Sequence, residues 1–197
     1  MAKKGLSKDQ IIEAAVALIG ESGYDSFSLR TLAAKLGVQP ASLYNHVEGI
    51  DEISTEIALY ASEMMRNALN QAMEGKEPDQ AFIDAALAYR QFAAENPEIY
   101  KALVHMPLSH DENVRRAGFQ SFHPLRDLIN SYGLTRRDAI SFSRGLRSVM
   151  HGFIELTNNG FMQKDYVTRD ESYLVIIESY LTYMKAHLAG KDVTKDE

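Results

Sequence analysis

The sequence contains no cysteine, which excludes a disulfide framework, a thiolate zinc site and a cysteine nucleophile. Its six histidines remain as possible metal ligands. Residues 1–7 lack the apolar core of a secretory signal. No run approaches the roughly 18 apolar residues of a membrane span. We therefore expect a soluble, cytoplasmic protein with no membrane partner.

The negative charge of the chain is unevenly distributed. The formal net charge is −6, yet residues 1–50 hold five Lys/Arg against five Asp/Glu, so the whole excess lies beyond residue 50. A DNA-binding domain usually shows a basic footprint, which the complete chain lacks. The first 50 residues are neutral, and nucleic acid is not excluded as their partner.

Signals for β-structure are scarce as well, because valine is sparse and no segment alternates between apolar and polar residues. Apolar residues recur instead at spacings of three and four, which predicts an all-α protein. After three short N-terminal helices, the pattern predicts helices at 51–74, 79–94, 97–106, 111–131, 135–158 and 170–188, with Pro124 kinking or dividing its segment. We expect a three-helix domain with a helix-turn-helix at 1–50 and a second helical domain at 51–197.

The first three helices carry clear boundary signals. Ser7 to Gln10 form a capping box, and Ser28 caps the second helix. Gly37 suits the left-handed residue that ends a helix, and Pro40 suits the first position of the next one. These signals predict two short helices joined by a tight turn, with Leu43 and Val47 on the inner face of the third helix.

A short helix with a polar outer face, held by such a turn, suits entry into the major groove of DNA. Ser42, Tyr44 and His46 can donate to phosphates, Arg30 can bind a phosphate or a guanine, and Gln39 and Asn45 can read base edges. The alternative is a small helical turn whose surface is incidentally polar. The predicted DNA-binding residues are Lys3 and Lys4 in a flexible arm, Ser28, Arg30, Gln39, Ala41, Ser42, Tyr44, Asn45 and His46.

Residues 28–47, SLRTLAAKLGVQPASLYNHV, preceded by Gly23-Tyr24, resemble the N-terminal signature of the TetR family of repressors over about residues 7–55. The resemblance implies that Arg30, Ser42, Tyr44 and His46 contact DNA. Family members commonly place a phosphate-binding lysine at the position of Ile50, so one backbone contact is missing. Residues 144–161, with a His-Gly pair, more weakly resemble a TetR-type effector domain, which implies a helical effector-binding and dimerisation domain at 51–197. We therefore expect a repressor that a small molecule releases from a palindromic operator.

The last two long helices carry more than one apolar face each and predict a homodimer. A palindromic operator needs two recognition helices about 34 Å apart, which favours a dimer over two core helices of a monomer. Glycines inside a helix suggest a close neighbouring backbone. The predicted interface residues are Gly145, Ser148, Gly152, Leu174, Ile177, Leu181 and Met184.

The middle helices contain bulky, adaptable side chains that suit an effector pocket. Each of them also fits an ordinary core. The family resemblance implies the pocket, in which a ligand would tilt the helix at 51–74 and move the two DNA-binding domains out of register. The predicted lining is Tyr60, Met64, Tyr89, Phe92, Tyr100, Met106, Phe122 and Met150.

Two other classes of function compete with this prediction. An enzyme is disfavoured, because the His46 to Glu48 deaminase-like fragment lacks its cysteine pair and Ser109 to Asp111 cannot align as a triad. His105 and His110 do not share a helix face as zinc ligands would, and no cofactor motif is present. The second alternative is a helical homodimer that binds a protein partner or small molecule without specific DNA binding, through an exposed Ile50.

Overall fold

The computed structural model describes residues 6–104, 120–163 and 166–193. The all-α prediction is confirmed, since these residues form helices and connecting turns and contain no strand. The helices are α1 (Lys8–Ser22), α2 (Leu29–Leu36), α3 (Pro40–Leu43), α4 (Ile50–Met73), α5 (Pro78–Glu95), α6 (Pro97–Val104), α7 (His123–Ser131), α8 (Arg136–Asn158) and α9 (Arg169–Val193), with short 3-10 turns at Tyr24–Ser26 and Gln120–Phe122.

Helix α1 begins at the predicted capping box. The Ser7 backbone N–H donates to the Gln10 side chain at 3.0 Å, and the Gln10 N–H donates to the Ser7 hydroxyl at 3.3 Å. These bonds satisfy two backbone donors that a helix start leaves without partners. Further along α1, residues at spacings of three and four are buried, and they form the core of the N-terminal bundle: Ile11, Ala15, Leu18 and Ile19.

Helix α2 also has its predicted ends. Ser28 forms a second capping box, with Thr31 at the third helical position. Gly37 ends the helix with φ 67° and ψ 31°, a left-handed conformation that glycine adopts without steric cost. Helix α3 follows almost at once, with Pro40 in its first turn. The turn between the two helices is therefore short, as a helix-turn-helix requires.

The described chain divides into two compact units. The first contains residues 6–64, 93–104 and 120–121, and the second contains residues 65–92, 122–163 and 166–193. Residues 51–64 and helix α6 thus pack with the N-terminal helices. The division of function at residue 50 stays a prediction, since compactness alone does not say which residues bind DNA or effector.

In the second unit, α8 and α9 run antiparallel. The ring of Phe153 lies 5.0 Å from that of Tyr173, and the ring of Phe142 lies 5.9 Å from that of Tyr180. Helix α7 begins at His123 with Pro124 in its first turn, within the segment predicted at 111–131. Residues 111–119 of that predicted segment lie outside the described chain. No helix in the described ranges is long and apolar enough to cross a membrane.

Candidate nucleic-acid interface

We call residues 39–47 the recognition segment. It consists of α3 and the turn that follows, and Leu43 and Val47 anchor it with 0% and 4% of their surface exposed. The Val47 N–H donates to the Leu43 carbonyl at 3.0 Å, which continues one helical turn past the end of α3. Because both anchors point inward, the residues between and before them are left to face solvent.

The predicted DNA-binding side chains of the recognition segment lie mainly at the surface. Tyr44 is 58% exposed, an unusual fraction for a large aromatic ring, and Ser42 is half-buried. The other predicted residues of the segment are exposed: Gln39, Ala41, Asn45 and His46. Arg30, which lies on α2 outside the segment, is exposed as well. This surface presents hydroxyl, amide and imidazole groups, which bind phosphate oxygens and base edges. Lys3 and Lys4 lie outside the described residues.

Ser28 is the predicted cap of α2 as well as a predicted DNA-binding residue. Its hydroxyl accepts from the Thr31 N–H at 3.2 Å and lies 3.0 Å from the Thr31 hydroxyl, while its own N–H donates to that hydroxyl at 3.0 Å. The side chain therefore caps α2. Any contact of Ser28 with DNA would have to coexist with this cap.

The cations of the N-terminal unit differ in whether carboxylates hold them. Lys8 lies between Glu52 and Glu56, and Lys35 pairs with Glu21 at 2.7 Å. Arg30 has no carboxylate partner within the described residues. Of the Lys/Arg residues between 6 and 50, Arg30 is thus the one whose charge a phosphate meets without competition.

Ile50 is the first residue of α4 and is half-buried. It is absent from the large apolar side chains that the surface exposes. The expectation of an exposed Ile50 is therefore wrong, and an apolar protein-binding surface centred on this residue loses its support.

Sequence reasoning missed the contacts that join α6 to the turn after α1. The Glu98 carboxylate accepts from the Tyr24 N–H at 2.6 Å, and Lys101 pairs with Asp25. A Cβ on Gly23 would lie 3.5 Å from the same carboxylate, so the glycine gives it room. These partners lie more than 70 residues apart in the chain, and a periodicity argument cannot pair such distant residues.

The predicted pocket residues do not share one environment. Tyr60 is 44% exposed, so it does not line an enclosed cavity of its unit, while Met64 is half-buried and Tyr100 is buried. The members in the second unit are all buried: Tyr89, Phe92, Phe122 and Met150. Met106 lies outside the described residues. The assignment of these residues to one effector pocket stays a prediction.

The structure also corrects part of the predicted dimer interface. Ile177 and Met184 are fully buried and Leu181 is 6% exposed within one chain, so these side chains pack in its own core. Gly145 is explained by Tyr180, whose hydroxyl would overlap a Cβ at that position. Ser148 is exposed, whereas Gly152 and Leu174 are half-buried. The large apolar side chains that α9 does expose, Val175 and Tyr183, lie beside the predicted interface residues in the sequence.

Helices α8 and α9 and the described residues between them expose several large apolar side chains. Eight bulky apolar side chains between residues 140 and 183 have 43% or more of their surface exposed: Ile140, Leu156, Phe161, Met162, Tyr166, Val167, Val175 and Tyr183. On α9 a groove of about 580 Å³ runs along Val175, Glu178, Ser179, Thr182, Tyr183 and Ala186. Val175 and Tyr183 line the same groove, and clustered exposed apolar side chains are typical of an interaction surface.

Comparison with protein families gives two matches. Residues 11–56 match the model described as "Bacterial regulatory proteins, tetR family". Residues 82–180 match that of the "Tetracyclin repressor-like, C-terminal domain". The first match contains the recognition segment, and the second begins within α5 and ends within α9.

Individual proteins are similar along most of the chain. An uncharacterized HTH-type transcriptional regulator, YobS of Bacillus subtilis, is 31% identical over 94% of this chain and 93% of its own. One from Mycobacterium tuberculosis is 31% identical over 80% of this chain and 72% of its own. A TetR variant from Acinetobacter baumannii, solved with minocycline, has a TM-score of 0.67 at 18% identity, covering 92% of this chain and 98% of that one. This last likeness concerns the fold alone.

Proposed function

Because the chain belongs to the TetR family of DNA-binding transcriptional regulators, we propose that it is a cytoplasmic repressor. It binds a palindromic operator as a homodimer, and a small molecule releases it. The observation that carries the DNA-binding part is the recognition segment, whose polar residues are exposed while Leu43 and Val47 anchor it. A regulator of this class needs no catalytic residue.

The proposed contacts follow from the chemistry of each exposed group. The Tyr44 hydroxyl and His46 donate to phosphates, as Ser42 does from its half-buried position. Gln39 and Asn45 carry amides, which can read adenine through two hydrogen bonds in the major groove. Arg30 supplies a positive charge that no carboxylate of the described residues holds. Ala41 has no polar group, and its methyl suits contact with a thymine methyl.

The experiment that tests DNA binding is a titration of the DNA upstream of the protein's own gene at two salt concentrations. Wild type is compared with Tyr44→Ala and Tyr44→Phe. Because the ring is 58% exposed, neither variant should disturb the fold. We expect Tyr44→Ala to abolish specific binding and Tyr44→Phe, which loses only a hydrogen bond to a charged phosphate, to weaken it about tenfold or more. Absence of any wild-type complex at low salt would contradict the proposal.

The proposed dimer uses the exposed faces of α8 and α9. A two-fold symmetric interface places the same patch on both chains, so that patch must be self-complementary. Exposed Arg144 on α8 and exposed Glu178 in the α9 groove supply opposite charges, and Val175 and Tyr183 supply apolar area. We infer that Arg144 of one copy faces Glu178 of the other.

Charge reversal tests this arrangement. Arg144→Glu and Glu178→Arg each place like charges opposite one another in a homodimer, and two such pairs should weaken dimerisation on the order of tenfold. A mixture of the two variants restores both attractive pairs in a heterodimer. Light scattering after size exclusion measures the assembly state. Recovery in the mixture supports the interface, and single variants that dimerise like wild type contradict the pair.

The effector part of the proposal rests on the family and on buried, adaptable side chains. A TetR variant of this fold was solved with minocycline. In the second unit of this chain, Tyr89, Phe92, Phe122 and Met150 are buried, and we assign them to the effector site. The Arg147 guanidinium lies 6.0 Å from the centre of the Phe122 ring. An effector changes DNA affinity only by preferring one of two arrangements of the dimer, and movement of α4 provides them.

Release of labelled operator DNA by a panel of aromatic and polycyclic compounds would test this assignment. We expect Phe122→Ala to raise the concentration needed for release while leaving DNA affinity without the compound unchanged. If the same concentration releases the variant and the wild type, Phe122 does not contact the effector.

A further inference from the structure

Four carboxylates follow the recognition segment directly. Residues 48–56 contain Glu48, Asp51, Glu52 and Glu56 and no lysine or arginine. They occupy the turn after Val47 and the first two turns of α4. Carboxylates repel DNA phosphates, most strongly at low salt. The recognition segment therefore needs a local cation that offsets this charge if it is to approach DNA.

Lys8 provides that cation from α1. Its Nζ donates to Glu52 Oε1 at 2.7 Å and to Glu56 Oε1 at 2.6 Å, so it bridges the first two turns of α4. The hydrogen bonds from Lys8 are the main reason that the pKa of Glu52 lies below its usual value. Hydrogen bonds to Glu52 and then Glu56 raise the pKa of Lys8. The formal charge of the three side chains together is −1, whereas the two glutamates alone would carry −2.

The same contact reaches the backbone beside the recognition segment. The second oxygen of Glu52 accepts from the Glu48 N–H at 2.6 Å. Glu48 directly follows the buried anchor Val47 and lies two residues after His46. Lys8 thus holds Glu52 in place, and Glu52 holds the turn through which the recognition segment joins α4.

We propose that Lys8 is a positioning residue for DNA binding, which offsets one of the two negative charges of Glu52 and Glu56 and fixes the turn at Glu48 without touching DNA itself. The inference rests on the proposed DNA-binding function. Side-chain exposures of 41% for Lys8, 28% for Glu52 and 34% for Glu56 leave the cluster close to solvent. The charge of the cluster therefore acts on phosphates that approach the protein from solvent.

A direct contact between Lys8 and a phosphate makes a different prediction, which separates the two roles. Loss of a direct contact lowers the steepness of the salt dependence by about one, and nothing done to Glu52 or Glu56 restores it. Loss of a neutralising lysine leaves two uncompensated carboxylates. Replacing these by glutamine removes the repulsion, and glutamine keeps an oxygen that accepts from the Glu48 N–H.

The experiment measures operator affinity across a salt series for wild type, Lys8→Met and Lys8→Met with Glu52→Gln and Glu56→Gln. Lys76→Met is the matched control, because Lys76 pairs with Asp84 in the second unit. We expect Lys8→Met to weaken binding on the order of tenfold at low salt, and less as salt screens the repulsion. The triple variant should return to within about threefold of wild type. The control should bind like wild type.

Either an unchanged affinity in Lys8→Met or a triple variant as weak as Lys8→Met would overturn the inference. Carbon-13 titration of the glutamate carboxyls supplies a readout without DNA, since the Glu52 pKa should rise in Lys8→Met. A wild type that binds no DNA overturns the proposed function, and this is visible before any variant is compared. If the wild type binds DNA and Lys8→Met binds it with the same affinity, only the proposed role of Lys8 is overturned.

Discussion

Gly145 lies in the interior of α8, against the Tyr180 side chain of α9. A Cβ at this position would overlap the Tyr180 hydroxyl and lie 3.4 Å from its Cζ. The same hydroxyl donates to the Phe142 carbonyl at 2.6 Å. In an open helix, Gly→Ala stabilises by about 0.5–1 kcal/mol. Here the overpacking costs about 1–3 kcal/mol, and the displaced hydroxyl loses a bond worth about 0.5–1.5 kcal/mol. We expect Gly145→Ala to lower the free energy of unfolding by about 1–3 kcal/mol.

Urea unfolding followed by circular dichroism, at one chain concentration for all variants, measures this change. Gly20→Ala is the control, since Gly20 lies within α1 and a Cβ there meets no atom within 4 Å. That variant should be stabilised. In a Tyr180→Phe background, which removes the hydroxyl, Gly145→Ala should cost less. A Gly145→Ala protein as stable as Gly20→Ala, or equal costs in both backgrounds, would refute the argument.

Three further predictions concern single interactions. Ser28→Ala removes the α2 cap, should cost about 1 kcal/mol, and should speed amide exchange in α2. The Lys185 ammonium lowers the pKa of Asp79, so the stabilising carboxylate is present at neutral pH and is lost as pH falls below about 4. The urea midpoints of wild type and Asp79→Asn should therefore differ at pH 7 and converge in acid. Tyr173→Phe removes the hydroxyl that donates to the Ala86 carbonyl at 2.9 Å and should cost about 1–2 kcal/mol in thermal unfolding.

The N-terminal helices could be predicted in detail because their signals act locally. Ser7 and Ser28 cap residues three positions away, and Gly37 and Pro40 act on their own backbone conformation. Such signals depend on a few neighbouring residues and not on the rest of the fold. The spacing of Leu43 and Val47 likewise identified the buried anchors, and with them the exposed face of the recognition segment.

The long helices show where sequence periodicity stops being informative. A repeat of apolar residues identifies side chains that are buried, but it does not say whether the same chain or a second copy covers them. Periodicity therefore predicts an interface position for Ile177 and Met184, although both pack inside one chain. It also predicts a close neighbouring backbone at Gly145, where the glycine instead gives room to the Tyr180 side chain. Ion pairs such as that of Lys8 with Glu52 join distant residues, and many carboxylates in the sequence would have fitted equally well.

The distribution of charge explains how a neutral N-terminal segment can serve a DNA-binding regulator. Lys8 and Lys35 are held by carboxylates, which leaves Arg30 as the unpaired cation between residues 6 and 50 of the described chain. If Arg30 alone neutralised a phosphate in each copy of a dimer, the DNA affinity would fall with about the second power of the salt concentration. If Lys3 and Lys4 also neutralised phosphates, the affinity would fall with about the fifth power. A shallow dependence would mean that Tyr44, His46 and the amides supply most of the affinity through hydrogen bonds. In that case operator recognition depends more on geometry than on net charge, and Lys8 lowers the repulsion from residues 48–56 by offsetting one of their four negative charges.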